Sequence, residues 1–188
     1  MPFQEPGLFE VQFTLFLGKT LISSQYKQYV DELDLRGDEV MLDYGSGSGV
    51  CSRFLAQRLL EGGGHLTCMD VSCVWIEVIK KTLKNFPNVD YRCGETMHLD
   101  INDDSFDALF IHFVLHDIEH AERPEIVKHL LATLKRGVKL FLREPTDRGI
   151  PVEEIRHLMA LNQLEEISHT ISHTWFTGPL YQGVYVKK

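Results

Sequence analysis

Apolar positions along the chain change their spacing several times, and each change predicts an element. Over residues 20–33, Leu21, Tyr26, Tyr29, Val30 and Leu33 recur at helical spacing, and Gly37-Asp38 then marks a turn. Residues 39–43 read as a strand and 51–60 as a helix, separated by a glycine-rich turn. Beyond a linker at Gly62-Gly63-Gly64, the pattern predicts a strand over 65–69, a helix over 71–84 and a strand over 89–93. Residues 106–111 are almost continuously apolar, as in a strand buried on both faces. A helix over 124–134 accepts Pro124 in its first turn, and a strand over 139–144 and a helix over 153–161 follow. Residues 165–172 and 180–186 then read as two strands joined near Gly178-Pro179, with no room for a helix between them.

Strands alternating with helices and ending in a hairpin predict an α/β fold, with a mainly parallel sheet and an antiparallel addition at its end. In such sheets ligands bind at the carboxyl ends of the strands. The 188 residues suit one domain. Its expected parts are an N-terminal segment and helix over 1–38 as a candidate lid, a cofactor-binding core over 39–145, and a helix and hairpin over 146–188.

The net charge of -8 opposes nonspecific attraction to nucleic acid and to anionic membrane surfaces, so no long nucleic acid and no membrane is expected as a partner. The apolar stretch at 6–20 carries Glu10 and Gln12 and is too short to span a bilayer, which predicts a soluble, cytoplasmic protein. The four cysteines, Cys51, Cys68, Cys73 and Cys93, contain no C-x-x-C pair and are expected to be buried free thiols. The sequence leaves the oligomeric state open.

Chemistry concentrates at "VMLDYGSGSGV", residues 40–50. Glycines at a strand-to-helix turn let a ligand approach the backbone, and the helix start offers unpaired N–H groups. A dinucleotide fingerprint, G-x-G-x-x-G, fits poorly because its last glycine would fall on Val50. Asp43, two residues ahead of Gly45, would repel a pyrophosphate and attract a cationic ligand.

The series Asp43-x-Gly45-x-Gly47-x-Gly49 resembles the first motif of the class I S-adenosylmethionine-dependent methyltransferases, particularly small ones of the type-11 kind. Further along, "CGETM" (93–97), "FDALFIHFVLHDI" (106–118) and "LKRGVKLFLREP" (134–145) resemble later family segments, with Arg136 and Val138 as departures in a turn. The resemblance implies a Rossmann-like, mainly parallel seven-stranded sheet with helices on both faces and a C-terminal antiparallel hairpin. It implies S-adenosyl-L-methionine as cofactor, with Asp43, Gly45, Ser46, Gly47 and Gly49 around its amino-acid part. Asp70, 21 residues beyond Gly49, would hold the ribose hydroxyls beside Val71. Glu95 would face the adenine amino group, and Thr96 and Met97 would line the ring.

The implied reaction is direct displacement at the sulfonium methyl, which asks the protein chiefly to align an acceptor and exclude water. His112, just beyond the fourth strand, is the candidate catalytic residue, either positioning the acceptor or taking its proton, and also a candidate cofactor contact. The expected acceptor is a small molecule, apolar or aromatic, since the chain after the fourth strand has no Asn-Pro-Pro-Tyr-like segment.

Other readings stay open. Asp70 also suits a helix cap, Glu95 a solvated loop acid, His112 a structural histidine, and Trp175-Phe176 either a pocket rim or a sheet-edge cover. His112, His116 and His120 would share one face if 112–120 were helical, but that series spreads over two turns, and no metal is expected. An NAD-dependent oxidoreductase is weakened by Val50 and by the missing Tyr-x-x-x-Lys pair. A non-catalytic S-adenosylmethionine-binding or adaptor protein is the third alternative.

Overall fold

Strand formation follows the apolar runs closely, and the polar and glycine-rich intervals become the turns that carry the candidate residues. The structure, a computed structural model, describes residues 5–20, 22–95, 102, 104–147, 149–174 and 177–188. The chain divides into two units, residues 1–95 and 96–188.

In the first unit α1 (Leu8–Thr20) and α2 (Ser23–Asp31) precede β1 (Val40–Tyr44), α3 (Ser52–Gly62), β2 (His65–Asp70), α4 (Cys73–Thr82) and β3 (Val89–Cys93). β2 lies between β1 and β3 and runs parallel to both. The register sets Asp43 opposite Cys68 and Asp70 opposite Cys93. Leu42, Leu66 and Met69 are fully buried, so the strands are fixed by apolar burial while their last residues turn polar.

In the second unit β4 (Phe106–His112) leads through a one-turn 3-10 helix (Leu115–Asp117) to α5 (Arg123–Ala132), β5 (Leu134–Pro145), α6 (Val152–Leu161), β6 (Leu164–Thr174) and β7 (Gly178–Lys187). β5 is parallel to β4 and antiparallel to β7, which in turn pairs antiparallel with β6. The seven strands thus form a mixed, mainly parallel sheet with a C-terminal antiparallel hairpin, the Rossmann-like class expected.

One local expectation changes, at Leu134, and two points left open by the sequence take a definite form. Residues 112–120 are not helical: β4 continues through His112 and only Leu115–Asp117 turn helically, so the three histidines share no helical face. Leu134 leaves the expected helix and pairs with Phe106 at the start of a 12-residue strand. The apolar stretch near the N-terminus is the helix α1, on which Phe9, Phe13 and Phe16 are exposed.

Arg58 on α3 organises the approach to β1. Its guanidinium donates to the carbonyls of Val30, Asp31 and Leu35, holding the end of α2 and the following loop. A lysine ammonium is a single point that cannot reproduce this planar fork. Arg58→Ala is expected to lower unfolding free energy by about 1–3 kcal/mol, with Arg58→Lys recovering less than half, as read from urea midpoints at constant m.

Candidate functional site

β1 ends in Asp43-Tyr44 and the chain turns at once through Gly45, Gly47 and Gly49, all with positive φ. The turn is sewn to β2: the N–H groups of Gly45 and Ser46 both donate to the Met69 carbonyl, at 2.8 and 3.0 Å. The Gly47 N–H donates to Asp70 Oδ2 at 2.8 Å, and the Ser72 N–H donates to Asp70 Oδ1 at 2.9 Å. The glycine loop and the acid 23 residues beyond Gly47 are therefore one constellation. Each Asp70 oxygen keeps acceptor capacity for a further donor.

The glycines have separate reasons. A Cβ on Gly47 would meet only the Gly45 carbonyl, at 4.0 Å, which leaves open space beside a backbone at φ +50°. On Gly49 it would lie 2.3 Å from Ile79 Cγ1, so this glycine lets α4 pack against the turn. Gly49→Ala is expected to cost about 1–3 kcal/mol of stability by overpacking, measured by denaturant unfolding.

Asp70 does not cap α4. Ser72 is the cap, accepting from the Trp75 N–H, while Glu5 accepts from Ser72 Oγ and, at 3.2 Å, from the Cys73 N–H. Val71 is half-buried beside them, and Glu95 is exposed just past β3. Thr96, Met97, Trp175 and Phe176 lie outside the described residues.

Asp43 is buried and accepts from Ser52 Oγ at 2.5 Å. Burial pushes its carboxyl up to about 7, against the Ser52 hydrogen bond, and the Asp70 charge adds to the rise. Burial also raises Asp70 above the usual carboxylate range, opposed by its bonds from Ser72 and Gly47. Two adjacent acids that resist ionisation form a place where a cation would be favoured.

The cysteines depart from expectation. Only Cys51 and Cys68 are buried free thiols, whereas Cys73, exposed at the start of α4, is disulfide-bonded to Cys93 at the end of β3. A separation of 20 residues hides this pair in sequence, but the helical crossover between parallel strands brings both to one end of the sheet.

In the second unit His112 ends β4, its ring stacked against Phe110 and Phe113 with centroids 5.8 and 4.1 Å away. Burial, then the Arg143 charge, holds its imidazole well below 6.5, so it is neutral at pH 7. Phe113 takes φ +61° and turns the chain sharply. The following turn closes on Glu144, fully buried at the end of β5, which accepts from the N–H groups of Val114 and Leu115 at 2.8 and 2.7 Å. His116 Nδ1 lies 2.7 Å from the other Glu144 oxygen. Burial opposes charge on His116, but the bond and charge of Glu144, with Asp117, outweigh it and raise its pKa. Glu144 is not among the residues expected at the site; its signal in the sequence is an acid that, with Arg143, directly follows the apolar run Leu140-Phe141-Leu142. Among the described residues, no three His, Cys, Asp or Glu side chains gather to hold a metal ion.

The methyltransferase domain family matches residues 41–137, more than half of the chain. The chain belongs to this family. A demethylmenaquinone methyltransferase from Clavibacter sepedonicus is 30% identical over 114 residues, 61% of this chain and 44% of that protein. The methyltransferase-family chain thus spans under half the length of that curated relative. The N-methyltransferase NodS from Bradyrhizobium japonicum WM9, solved with S-adenosyl-L-homocysteine, superposes with a TM-score of 0.77 at 14% identity, over 92% of this chain and 90% of that one. The [4+2]-cyclase SpnF superposes at 0.73 with 15% identity, over 88% and 80%. Likeness to these structures establishes the fold, which hosts more than one chemistry.

The Asp43 shift has a testable sign. A carboxyl that takes its proton near 7 when folded and near 3.8 when unfolded makes the folded state bind more protons between those values. Stability therefore falls as pH rises across that window and levels above it. Asp43→Asn, which cannot ionise, is expected to gain stability relative to the parent between pH 4 and 8, by on the order of a few kcal/mol, in unfolding curves compared at the two pH values.

Proposed function

We propose that this chain is an S-adenosylmethionine-dependent methyltransferase acting on a small-molecule acceptor. The observation that carries the reading is the union of the Asp43–Gly49 turn with Asp70 through the Gly47 hydrogen bond, beside open space at Gly47. Membership of the methyltransferase family supports it, as does the name of the demethylmenaquinone methyltransferase relative, whose acceptor is a small molecule. The net charge of -8 weighs against a long nucleic-acid partner. No helix among the described residues is long and apolar enough to cross a membrane.

The residues fit the cofactor chemically. Bound here, S-adenosylmethionine would supply a methyl group activated by a sulfonium charge. Gly45, Ser46, Gly47 and Gly49 present backbone to its amino-acid part, and Asp43 meets the cationic end in its ionised form. Asp70 accepts from the ribose hydroxyls through its remaining lone pairs, beside Val71, and Glu95, Thr96 and Met97 serve the adenine. His112, stacked against two phenylalanines and neutral, would serve to position the acceptor. Its depressed pKa makes it a weak base, so it acts mainly by position.

Calorimetric titration with S-adenosyl-L-homocysteine tests the reading. Micromolar binding is expected, weakened by about ten-fold or more in Asp70→Ala through loss of charge-assisted hydrogen bonds. Because a cation favours ionised Asp43, binding near pH 7 is expected to release a proton, seen as a buffer-dependent heat that Asp43→Asn abolishes. Binding of NADH in its place would return the chain to the oxidoreductase reading. Binding with no transfer to any acceptor would leave a cofactor-binding protein.

A further inference from the structure

The Cys73–Cys93 bridge sits beside Asp70 of the proposed cofactor site. Cys73 is three residues beyond Asp70 and opens α4; Cys93 pairs with Asp70 in the β2–β3 register and closes β3. The Gly94 N–H donates to the Asp70 carbonyl at 3.0 Å, while the Asp70 carboxylate holds the Gly47 and Ser72 N–H groups. The bridge thus ties together the two segments, 70–73 and 93–95, that flank this carboxylate. Cys73 is exposed and Cys93 half-buried, whereas Cys51 and Cys68 are buried. A soluble thiol meets the bridge before it meets either free cysteine.

We propose that Cys73–Cys93 is a reversible thiol–disulfide site that clamps the Asp70 turn and sets the affinity of the glycine-loop site for its adenosyl ligand. The oxidised form is the tighter binder, because the covalent tie removes freedom that binding would otherwise have to remove. Opening needs a dithiol. Its thiolate attacks Cys73 Sγ, the S–S bond breaks and Cys93 leaves as a thiolate that takes up a proton. The second thiol of the reductant then attacks the mixed disulfide, releasing Cys73 as a thiol and leaving the reductant oxidised to its own disulfide. Two electrons and two protons have moved to the protein, and exchange with a small disulfide reverses the change.

The ligand identity rests on the function proposed above, so the test pairs a ligand-free readout with a binding one. Purified full-length protein is prepared oxidised and after dithiothreitol, with the Cys73→Ser/Cys93→Ser double variant alongside. Non-reducing peptide mapping is expected to find the 73–93 linkage, and amide exchange at Gly47, Ser72 and Gly94 is expected to quicken on reduction. Affinity for S-adenosyl-L-homocysteine is expected to fall about five-fold on reduction, within the usual range of coupled sites. The double variant should match the reduced protein and ignore dithiothreitol. By linkage, saturating S-adenosyl-L-homocysteine should shift the midpoint potential of the pair about 20 mV toward the disulfide, for a two-electron couple.

Free thiols at both positions in the oxidised preparation, or exchange at the three amides that does not respond to reduction, overturns the clamp. Unequal amide exchange with equal affinity in the two forms overturns its control of binding. If S-adenosyl-L-homocysteine binds neither form while the amides still respond, the clamp on the Asp70 turn stands and the cofactor assignment falls.

Discussion

The carboxylate of Asp70 is the joint on which the first unit turns. It stands at the end of a buried parallel strand, where the backbone leaves the sheet and its N–H groups lose their ladder partners. By accepting from Gly47 on one side and Ser72 on the other, it fixes the loop after β1 and the approach to α4 together. Without it, the Gly47 and Ser72 N–H groups would each need another partner, and the loop would keep only its bonds to the Met69 carbonyl and the packing of Gly49 on α4.

The second unit solves the same problem with Glu144. There too a strand ends, the chain bends sharply at a residue with positive φ, and a buried carboxylate from the neighbouring parallel strand accepts the stranded N–H groups. A carboxylate suits this task because it accepts several hydrogen bonds at once, and charged acceptors make stronger ones. The cost is burying charge. At Asp43, with one hydroxyl donor, that cost appears as a carboxyl pushed to about 7; a cationic ligand would relieve it. Glu144 in turn holds His116, so the end of β4 carries two histidines in opposite electrostatic settings, one kept neutral by burial and Arg143, the other drawn toward charge by its acid.

Much of this was legible in the order of residues. Burial of alternating or continuous apolar runs is a local property, so the seven strands, the helices between them and the terminal hairpin follow from periodicity. The glycine turn with Asp43 and Asp70 could be read as a ligand site, because positive φ and a strand-end acid leave compositional marks. Element ends were less legible. The stretch 112–120 has helical spacing, yet β5 draws His112 into the sheet by pairing it with Arg143. Gly49 shows only its ligand side in the motif; its second constraint, a side chain of α4 that a Cβ there would strike, lies 30 residues away in sequence.

The sequence by itself determined the alternation of elements, the acidic balance and the kinds of group placed at the strand ends, since each depends on residue type and short-range spacing. Tertiary structure alone decided which distant groups meet. The β2–β3 register set Asp70 beside Cys93, the helical crossover brought Cys73 within bonding distance of it, and the parallel pairing of β4 with β5 placed Glu144 under the turn that carries His116. Those contacts span 20 to 30 residues, and no local periodicity encodes them.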